Sequence, residues 1–290
     1  YKAWASPTPN ENEDHPRHKL LAMQAQMLNL AVQHQLIYDR WLTVFSLMLE
    51  KIQGQPRLEK LRIIHLYEAD LNLVVGILWG RRLVWKAEHN KAFSSEQYGS
   101  RKGRQARDVL FLKKMTYLLS TLQLSDLATF DNDAKACYDR IVILLAMLRS
   151  RQLGMPQNAC SFLSKFFQDA QYYIKTQMGV SEESHQCEHG SGQGNKGSPA
   201  MWLIVSTLLI DLMSEVTDGA IFYDPISKED VRRIMDAFVD DTTIFLNLRA
   251  GATVPELAEK LREAAQWWEN VLHTSGGKLE LSKCFYSLLH

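Results

Sequence analysis

Two adjacent acidic residues, Asp240 and Asp241, lie between two short runs of apolar, β-branched and aromatic residues. Runs of this kind on either side of a short polar pair predict two β-strands joined by a tight hairpin turn. Neighbouring carboxylates repel each other, so the pair needs a bound cation, a proton or full solvation. A solvated turn is the ordinary outcome, and a cation site requires further carboxylates elsewhere in the chain.

A second acidic group, Asp131 and Asp133, stands at the end of a strand predicted from Leu127 to Asp133. Alternate residues of a strand point to the same side, which places these two carboxylates on one face, about 6–7 Å apart. Magnesium prefers oxygen ligands and keeps room for substrate phosphates, so carboxylates from separate strands suit it. Solvated residues at a strand end are the alternative interpretation of the same pattern.

A glycine-rich segment, residues 192–202, lies between the two acidic groups in the sequence. Glycines let a backbone approach a ligand closely, and Ser198-Pro199 is typical of a helix start, where free N–H groups can bind an anion. The chain therefore carries both carboxylates and a phosphate-binding surface. Together they indicate a metal site for nucleotidyl transfer.

The composition limits the class of protein. The chain has 290 residues, 46% of them hydrophobic, a formal net charge of zero, and four widely spaced cysteines without a CxxC pair. It can bury a core in one or two domains, and any contact with nucleic acid must come from local basic patches. Free cysteines are typical of a reduced intracellular protein, so we expect the cytoplasm or nucleus. The longest apolar run, 201–213, is too short to span a bilayer, and the start at Tyr1 suggests a fragment.

Hydrophobic periodicity predicts a mostly helical first part and an α+β second part. Predicted helices cover residues 20–52, 68–85, 108–122, 139–153, 156–178 and 255–272, and another begins at Ser198. Extended segments are predicted at 61–66, 127–133, the acidic hairpin and 278–289, while 97–104 and 180–197 are predicted to be loops. This order favours an antiparallel sheet backed by helices.

Three segments resemble motifs of the reverse transcriptases, in the order found in that family. Gln193–Pro199 is similar to the QGxxxGSP motif, and Phe238–Asp241 is similar to the aromatic-x-Asp-Asp motif. Asp133–Asp139 resembles the first palm motif, an Asp followed five residues later by Phe or Tyr. By that spacing Asp133, rather than Asp131, is the expected metal ligand.

Further similarities extend the match to residues 57–286. Leu61–Leu66 resembles the fingers motif Arg-Pro-Ile-x-Leu, with Ile63 in place of the proline. Gln97–Gln105 resembles the QxGFRxGRS segment of non-LTR retrotransposon and group II intron enzymes, and Gly277–Lys283 resembles the glycine-to-lysine motif that follows the active site. The resemblance is therefore to the retrotransposon type, closest to non-LTR and group II intron-like enzymes.

The resemblance implies an α+β right-hand polymerase with fingers, an antiparallel palm sheet backed by helices, and no thumb. The implied domains are an N-terminal helical extension (1–56), fingers (57–126) and palm (127–290), with some fingers residues between 150 and 195. The implied activity is that of an RNA-directed DNA polymerase, which adds dNTPs to a primer 3′-hydroxyl on an RNA or DNA template. Two Mg²⁺ ions, or Mn²⁺, are the implied cofactors, and other domains of a longer polyprotein are expected to be missing.

The resemblance also implies roles for single residues. The expected metal ligands are Asp133, Asp240 and Asp241, and Lys283 is a candidate proton donor to pyrophosphate. The expected nucleotide-binding residues are Arg62, Tyr138, Gln193 and Gly194, with Tyr138 excluding a 2′-hydroxyl. The expected template-binding residues are Arg101, Lys102 and Arg104.

Two other functions remain open at this stage. An RNA-dependent RNA polymerase also carries acids on two palm motifs, but Val239 and Tyr138 stand where those enzymes usually have glycine and an acid. A reverse-transcriptase-like domain that binds nucleic acid without catalysis is the second alternative, and the presence of all three carboxylates argues against it. His185, Cys187 and His189 suggest zinc only weakly, because no fourth ligand follows at a usual spacing.

Overall fold

The computed structural model describes residues 16–55, 57, 60–187, 189–248 and 253–289. Its α-helices are α1 Pro16–His34, α2 Asp39–Leu42, α3 Ala69–Val75, α4 Val84–His89, α5 Ala106–Leu122, α6 Cys137–Arg140, α7 Ile143–Gln152, α8 Gln157–Asp169, α9 Ser198–Val216 and α10 Val254–Thr274. Its strands are β1 Thr43–Glu50, β2 Leu61–Leu66, β3 Leu127–Asp133, β4 Gln171–Thr176, β5 Gly179–Val180, β6 Ala220–Asp224, β7 Glu229–Arg233, β8 Met235–Phe238, β9 Asp241–Asn247 and β10 Phe285–Leu289. A π-helical segment, Gly76–Leu83, joins α3 to α4. The predicted α+β class is confirmed.

The sheet that carries the acidic residues has the strand order β10-β3-β9-β8, and every neighbouring pair is antiparallel. β3 is central, and all seven of its residues are buried. Helices cover both faces: α10 contacts one through Trp268, whose indole N–H donates to Asn132 at 2.8 Å, and α5 contacts the other through Lys113 and Asp131. A strand covered on both faces is apolar along its length except where polar side chains have partners.

The second sheet, β2-β1-β4-β5, corrects two predictions made from periodicity. Thr43–Glu50 is a strand, not the end of a helix reaching residue 52, because it pairs with β2 on one side and with β4 on the other. Gln171–Thr176 is also a strand rather than the end of a helix covering 156–178. The β1–β4 pair is parallel, so this sheet is mixed. Both strands contain β-branched or aromatic residues, whose preference depends on such tertiary pairing.

The helix α9 lies in the core. It extends beyond the apolar run 201–213, which alone is too short for a bilayer, and by length and composition the whole helix could cross a membrane; 61% of its most apolar stretch is buried in the protein. Trp202, Ile204 and Val205 are each at most 2% exposed. A helix that is hydrophobic on all sides is typical of a buried core element, and here α9 packs against α7 and α10.

Candidate functional site

The turn between β8 and β9 brings the carboxylates together. Phe238 pairs with Asp241, so the hairpin has a two-residue turn, Val239-Asp240, and Asp241 pairs with Asp133 of β3. The backbone carbonyl of Asp240 also accepts a hydrogen bond from the Ala134 N–H at 3.0 Å. The predicted hairpin thus places Asp240 and Asp241 beside the end of β3, where Asp133 lies.

The electrostatics of this cluster show that its carboxylates repel each other. Burial raises the pKa of Asp240 to about 6, and the charges of Asp133 and Asp241 add to the rise. Burial, followed by the charge of Asp133, also raises the pKa of Asp241. Lys283 donates a hydrogen bond to Asp133, which raises the pKa of that lysine. A cation at this place would relieve the repulsion, and in this arrangement the Lys283 ammonium partly does so.

Two neighbouring acids are neutralised by partners of their own. Asp131 accepts hydrogen bonds from Lys113 and, at 2.5 Å, from the Thr243 hydroxyl. Asp236 forms a 2.6 Å ion pair with Arg233. Both acids line a cavity of about 390 Å³ together with Asp133, Asp241 and Lys283. Asp131 is therefore paired with a lysine of α5, as Asp133 is with Lys283, and the choice of Asp133 over Asp131 from spacing stays a prediction.

Tyr138 lies close to the acidic cluster. It is the second residue of the short helix α6, whose N-cap, Ala136, has a left-handed backbone (φ 49°). Burial raises the pKa of Tyr138 above its usual range, and the nearby Cys137 and Asp240 raise it further. Its backbone carbonyl accepts a hydrogen bond from the Ser191 N–H at 2.8 Å, which ties α6 to the start of the glycine-rich loop.

The glycine-rich loop also contacts β2, where Arg62 lies. The His65 N–H donates to the carbonyl of Gln193 at 2.7 Å. Gly194 is exposed and has a φ of +111°, and a Cβ at this position would lie 2.2 Å from the His65 carbonyl oxygen. Arg62 is exposed three residues upstream on the same strand. The structure thus joins the loop of Gln193 and Gly194 both to the strand of Arg62 and to Tyr138.

In the basic segment 97–104, both arginines have partners within the protein, and the expected role in template binding stays a prediction. The Arg101 side chain is only 6% exposed; it forms an ion pair with Glu88 at 2.5 Å and donates to the Ser94 and Gln97 carbonyls at 2.6 and 3.0 Å. Burial and these bonds commit its guanidinium to the protein, so Arg101 does not offer a free surface cation in this structure. Arg104 donates to the Ser95 carbonyl at 2.8 Å and stacks on the Tyr98 ring at 4.8 Å, while Lys102 is exposed.

Two places in the structure carry several side chains of the types that bind metal ions. His185, Cys187 and His189 line a cavity of about 240 Å³ that also contains His65 and Asp139. Within the residues that the structure describes, no three His, Cys, Asp or Glu side chains are arranged to hold a metal ion. Neither the zinc candidate nor the acidic cluster has such an arrangement. At the acidic cluster the Lys283 ammonium contacts the Asp133 carboxylate.

Two residues contact the acidic turn although the sequence predicts no role for them. The Gln97 side chain and the Trp202 indole both donate to the Val239 carbonyl, at 3.3 and 2.6 Å. They lie 142 and 37 residues away from Val239 in the chain. Gln97 begins the segment similar to QxGFRxGRS and Trp202 is the last residue of the glycine-rich segment, but no local signal indicates that either reaches this turn.

No protein-family model matches the chain, and no curated protein matches it. Solved structures do. A truncated apo telomerase from Candida tropicalis is 11% identical with a TM-score of 0.57, covering 98% of this chain and 59% of that one. Telomerases in complex with a telomeric RNA fragment are also similar. The Candida albicans structure is 10% identical with a TM-score of 0.56, and the match covers 91% of this chain and 46% of that one. The Candida tropicalis structure is 11% identical with a TM-score of 0.57, and the match covers 97% of this chain and 47% of that one.

The chain spans about half the length of these telomerase chains. At identities of 10–11% the likeness concerns the arrangement of helices and strands, not the residues of the site. The chain therefore has a fold similar to that of telomerase reverse transcriptase structures.

Proposed function

We propose that this chain is the catalytic core of an RNA-directed DNA polymerase, which adds dNTPs to a primer 3′-hydroxyl. The observation that carries the proposal is the cluster of Asp133, Asp240 and Asp241, which two antiparallel strand pairs and a two-residue turn bring to one edge of the sheet. The fold supports it as well, because it is similar to that of telomerase structures. The cluster lies on a sheet that helices cover. The sequence motifs support it independently of the fold.

The oxygen chemistry of the three carboxylates suits divalent magnesium, although in this arrangement their side chains are not placed to hold a metal ion and Lys283 contacts Asp133. Asp133, Asp240 and Asp241 offer only oxygen ligands, and the raised pKa values of Asp240 and Asp241 reflect burial and repulsion that a dication relieves. We propose that these three carboxylates hold two Mg²⁺ ions, with Mn²⁺ as a possible substitute. Bound there, the ions supply charge stabilisation to the phosphates and the reacting hydroxyl. Lys283 contacts Asp133 and is the proposed proton donor to pyrophosphate.

The nucleotide pocket, in this proposal, lies between α6 and the glycine-rich loop. Arg62 binds the triphosphate, since a guanidinium donates two parallel hydrogen bonds to phosphate oxygens. Gln193 and Gly194 line the pocket, and Tyr138 lies beneath the sugar and excludes a 2′-hydroxyl. Of the three basic residues in the 97–104 segment, Lys102 and Arg104 remain the proposed contacts for template phosphates, because Arg101 is internally paired.

The wider assignment follows from the same resemblance. We propose that β3, β8, β9 and β10 belong to a palm and that residues 57–126, with parts of 150–195, form fingers. The proposed partners are an RNA or DNA template, a primer and further domains of a longer polyprotein, in an intracellular setting. The similarity of Gln97–Gln105 to non-LTR and group II intron enzymes supports an origin in a retrotransposon-type element.

Primer extension tests the proposal. With oligo(dT) annealed to poly(rA), the protein should incorporate dTTP in Mg²⁺ or Mn²⁺ and stop when EDTA is added. Incorporation of UTP in preference to dTTP on the same template would favour the RNA-dependent RNA polymerase instead. Binding of the primer–template with no incorporation under any of these conditions would favour the non-catalytic alternative.

Tyr138 offers a test of substrate choice. Replacing it by valine should open space beneath the sugar, so the preference for dTTP over UTP should fall roughly 10- to 100-fold, with dTTP incorporation little changed. The measurement is kcat/KM for both nucleotides on poly(rA)/oligo(dT). Tyr223→Val, at an exposed tyrosine of β6, is the control and should keep the wild-type preference. An unchanged preference in Tyr138→Val would contradict the assigned role.

A further inference from the structure

The acidic turn contains an unfavourable backbone conformation. Val239, the residue before Asp240, has a φ of +60°. A β-branched residue at positive φ is a genuine outlier that costs roughly 1–3 kcal/mol and persists only where its surroundings hold it. Something outside the hairpin must therefore stabilise this turn.

The loop of residues 94–104, here named the brace loop, runs along the outer edge of β8. Gln97 forms a parallel bridge with Ala237. The Ala237 N–H donates to the Glu96 carbonyl at 2.9 Å, and the Tyr98 N–H donates to the Ala237 carbonyl at 2.8 Å. The brace loop thereby extends the acidic sheet by one short segment, two residues before the turn.

The side chain of Gln97 then reaches the turn itself. Its amide oxygen accepts from the Val239 N–H at 3.2 Å, and its amide nitrogen donates to the Val239 carbonyl at 3.3 Å. The same amide nitrogen donates to the Ser206 hydroxyl of α9 at 3.0 Å, and Gln97 is 1% exposed. One buried amide therefore holds both polar groups of the strained residue and connects them to the core helix.

The predicted template-binding arginines hold the brace loop in shape. Arg101 joins the Ser94 and Gln97 carbonyls to Glu88, and Arg104 joins the Ser95 carbonyl to the Tyr98 ring. Gly99 packs so closely on the turn that a Cβ there would lie 2.3 Å from the Val239 nitrogen. Arg101 and the partly exposed Arg104 therefore both stabilise the brace loop, while Lys102 is exposed.

We propose that Gln97 is a positioning residue for the reaction, and that the brace loop holds the Val239-Asp240 turn in the conformation that presents Asp240 to the acidic cluster. This inference rests on the proposed function. A carboxylate that must hold a metal ion at a reacting centre loses effect when it is displaced by about 1 Å, so the turn has to be rigid. The role is positional, because Gln97 acts through Val239 and touches no reacting group.

The test compares two glutamines that clamp a backbone residue in the same way. Gln97 clamps Val239, and Gln123 clamps Tyr223, accepting from its N–H at 3.2 Å and donating to its carbonyl at 2.7 Å. Methionine conserves side-chain length and removes the hydrogen bonds. In Gln97→Met, kcat for dTTP should fall roughly 30- to 100-fold with KM within about twofold, because misplacement affects the transition state more than binding. Gln123→Met should keep the wild-type kcat.

Amide hydrogen exchange supplies a readout that does not depend on activity. The Val239 amide should exchange roughly tenfold faster in Gln97→Met, and the Tyr223 amide roughly tenfold faster in Gln123→Met, since each loses one hydrogen bond. Slow exchange at Val239 in Gln97→Met, or an unchanged kcat despite fast exchange, would overturn the inference. If Gln97→Met does not fold, Gly99→Ala tests the brace loop instead: its added Cβ would lie 2.3 Å from the Val239 nitrogen, so the loop must move away from the turn and kcat should fall several-fold; an unchanged kcat there would also overturn the inference.

The two proposals fail in different ways. A wild-type protein that incorporates no dTTP refutes the proposed function, and with it the positioning role of Gln97 and the brace loop in catalysis. An active wild type whose Gln97→Met variant keeps its kcat refutes the brace alone.

Discussion

Replacing Asp240 by asparagine should lower dTTP incorporation by roughly three orders of magnitude or more, while the metal-free protein becomes more stable. The loss of activity follows because one of the three carboxylates that would hold the Mg²⁺ ions beside the reacting phosphate is gone. The gain in stability follows because the ionised form of Asp240 is disfavoured in the fold, as its pKa of about 6 shows. Activity is measured by primer extension, and stability by urea unfolding in EDTA.

The pH dependence fixes the sign of the stability effect. Asp240 holds its proton more tightly in the folded chain than at its usual pKa of 3.8, so its contribution to stability is fully present below pH 3.8. It is lost as the pH rises through about 6. The wild type should therefore lose stability relative to Asp240→Asn between pH 4 and 6, with the difference constant above pH 7.

An acid with the opposite shift serves as the control. Asp224 accepts hydrogen bonds from the Ile226 N–H and the Ser227 hydroxyl, which lower its pKa. Asp224→Asn should therefore reduce stability slightly near neutral pH and leave incorporation unchanged. Mg²⁺ should stabilise the wild type and Asp224→Asn but not Asp240→Asn, because a ligand stabilises only a folded state that binds it. Equal stabilisation of all three by Mg²⁺ would argue against metal binding at this cluster.

Elements whose ends are encoded locally were the ones that the sequence predicted well. α10 was expected at 255–272 and spans Val254–Thr274, because Thr253 and Glu256 form a capping box and Pro255 lies in the first turn. β3 was expected at 127–133 and spans Leu127–Asp133, because the apolar start of this segment is followed by two acids at alternate positions. The acidic hairpin followed from the same kind of local pattern.

The errors concern pairings between distant parts of the chain. Trp41, Phe45 and Met48 are spaced as on a helix, yet Phe45 and Met48 lie in β1, because β2 and β4 supply hydrogen-bond partners on both sides. Arg101 belongs to a segment that looks like a basic patch, and in the structure its buried guanidinium forms an ion pair with Glu88. Spacing in the sequence carries no information about either partner, so a local pattern leaves these outcomes undetermined.

The same distinction applies within the candidate site. The order of the acids and the glycine-rich loop along the chain can be read from the sequence. The strand pairing then brings Asp133 opposite Asp241. The pairing of Asp131 with Lys113, and the clamp of Gln97 on Val239, depend on how α5 and the brace loop pack on the sheet. Sequence reasoning therefore names groups with the right chemistry, while packing decides which of them are free to use it.

Replacing Gly194 by alanine should both destabilise the protein and weaken nucleotide binding. Gly194 has a φ of +111°, which L-residues rarely adopt, and its new Cβ would lie 2.2 Å from the His65 carbonyl oxygen. Backbone strain and overpacking each cost roughly 1–3 kcal/mol, so unfolding free energy should fall by about 2–6 kcal/mol. The loop can relieve the collision only by moving away from β2, which carries Gln193 with it. KM for dTTP should then rise roughly tenfold.

Gly179 provides the matched control for strain without collision. It has a φ of +144°, lies on the exposed β4–β5 hairpin, and would have no atom within 4 Å of an added Cβ. Gly179→Ala should cost roughly 1 kcal/mol or less, because the exposed hairpin can adjust its backbone, and KM for dTTP should not change. Urea unfolding and steady-state kinetics on both variants separate the two effects. If Gly194→Ala destabilised the protein as predicted but kept the wild-type KM, the loop would support the fold without lining a nucleotide pocket, and the assignments of Gln193 and Gly194 would be wrong.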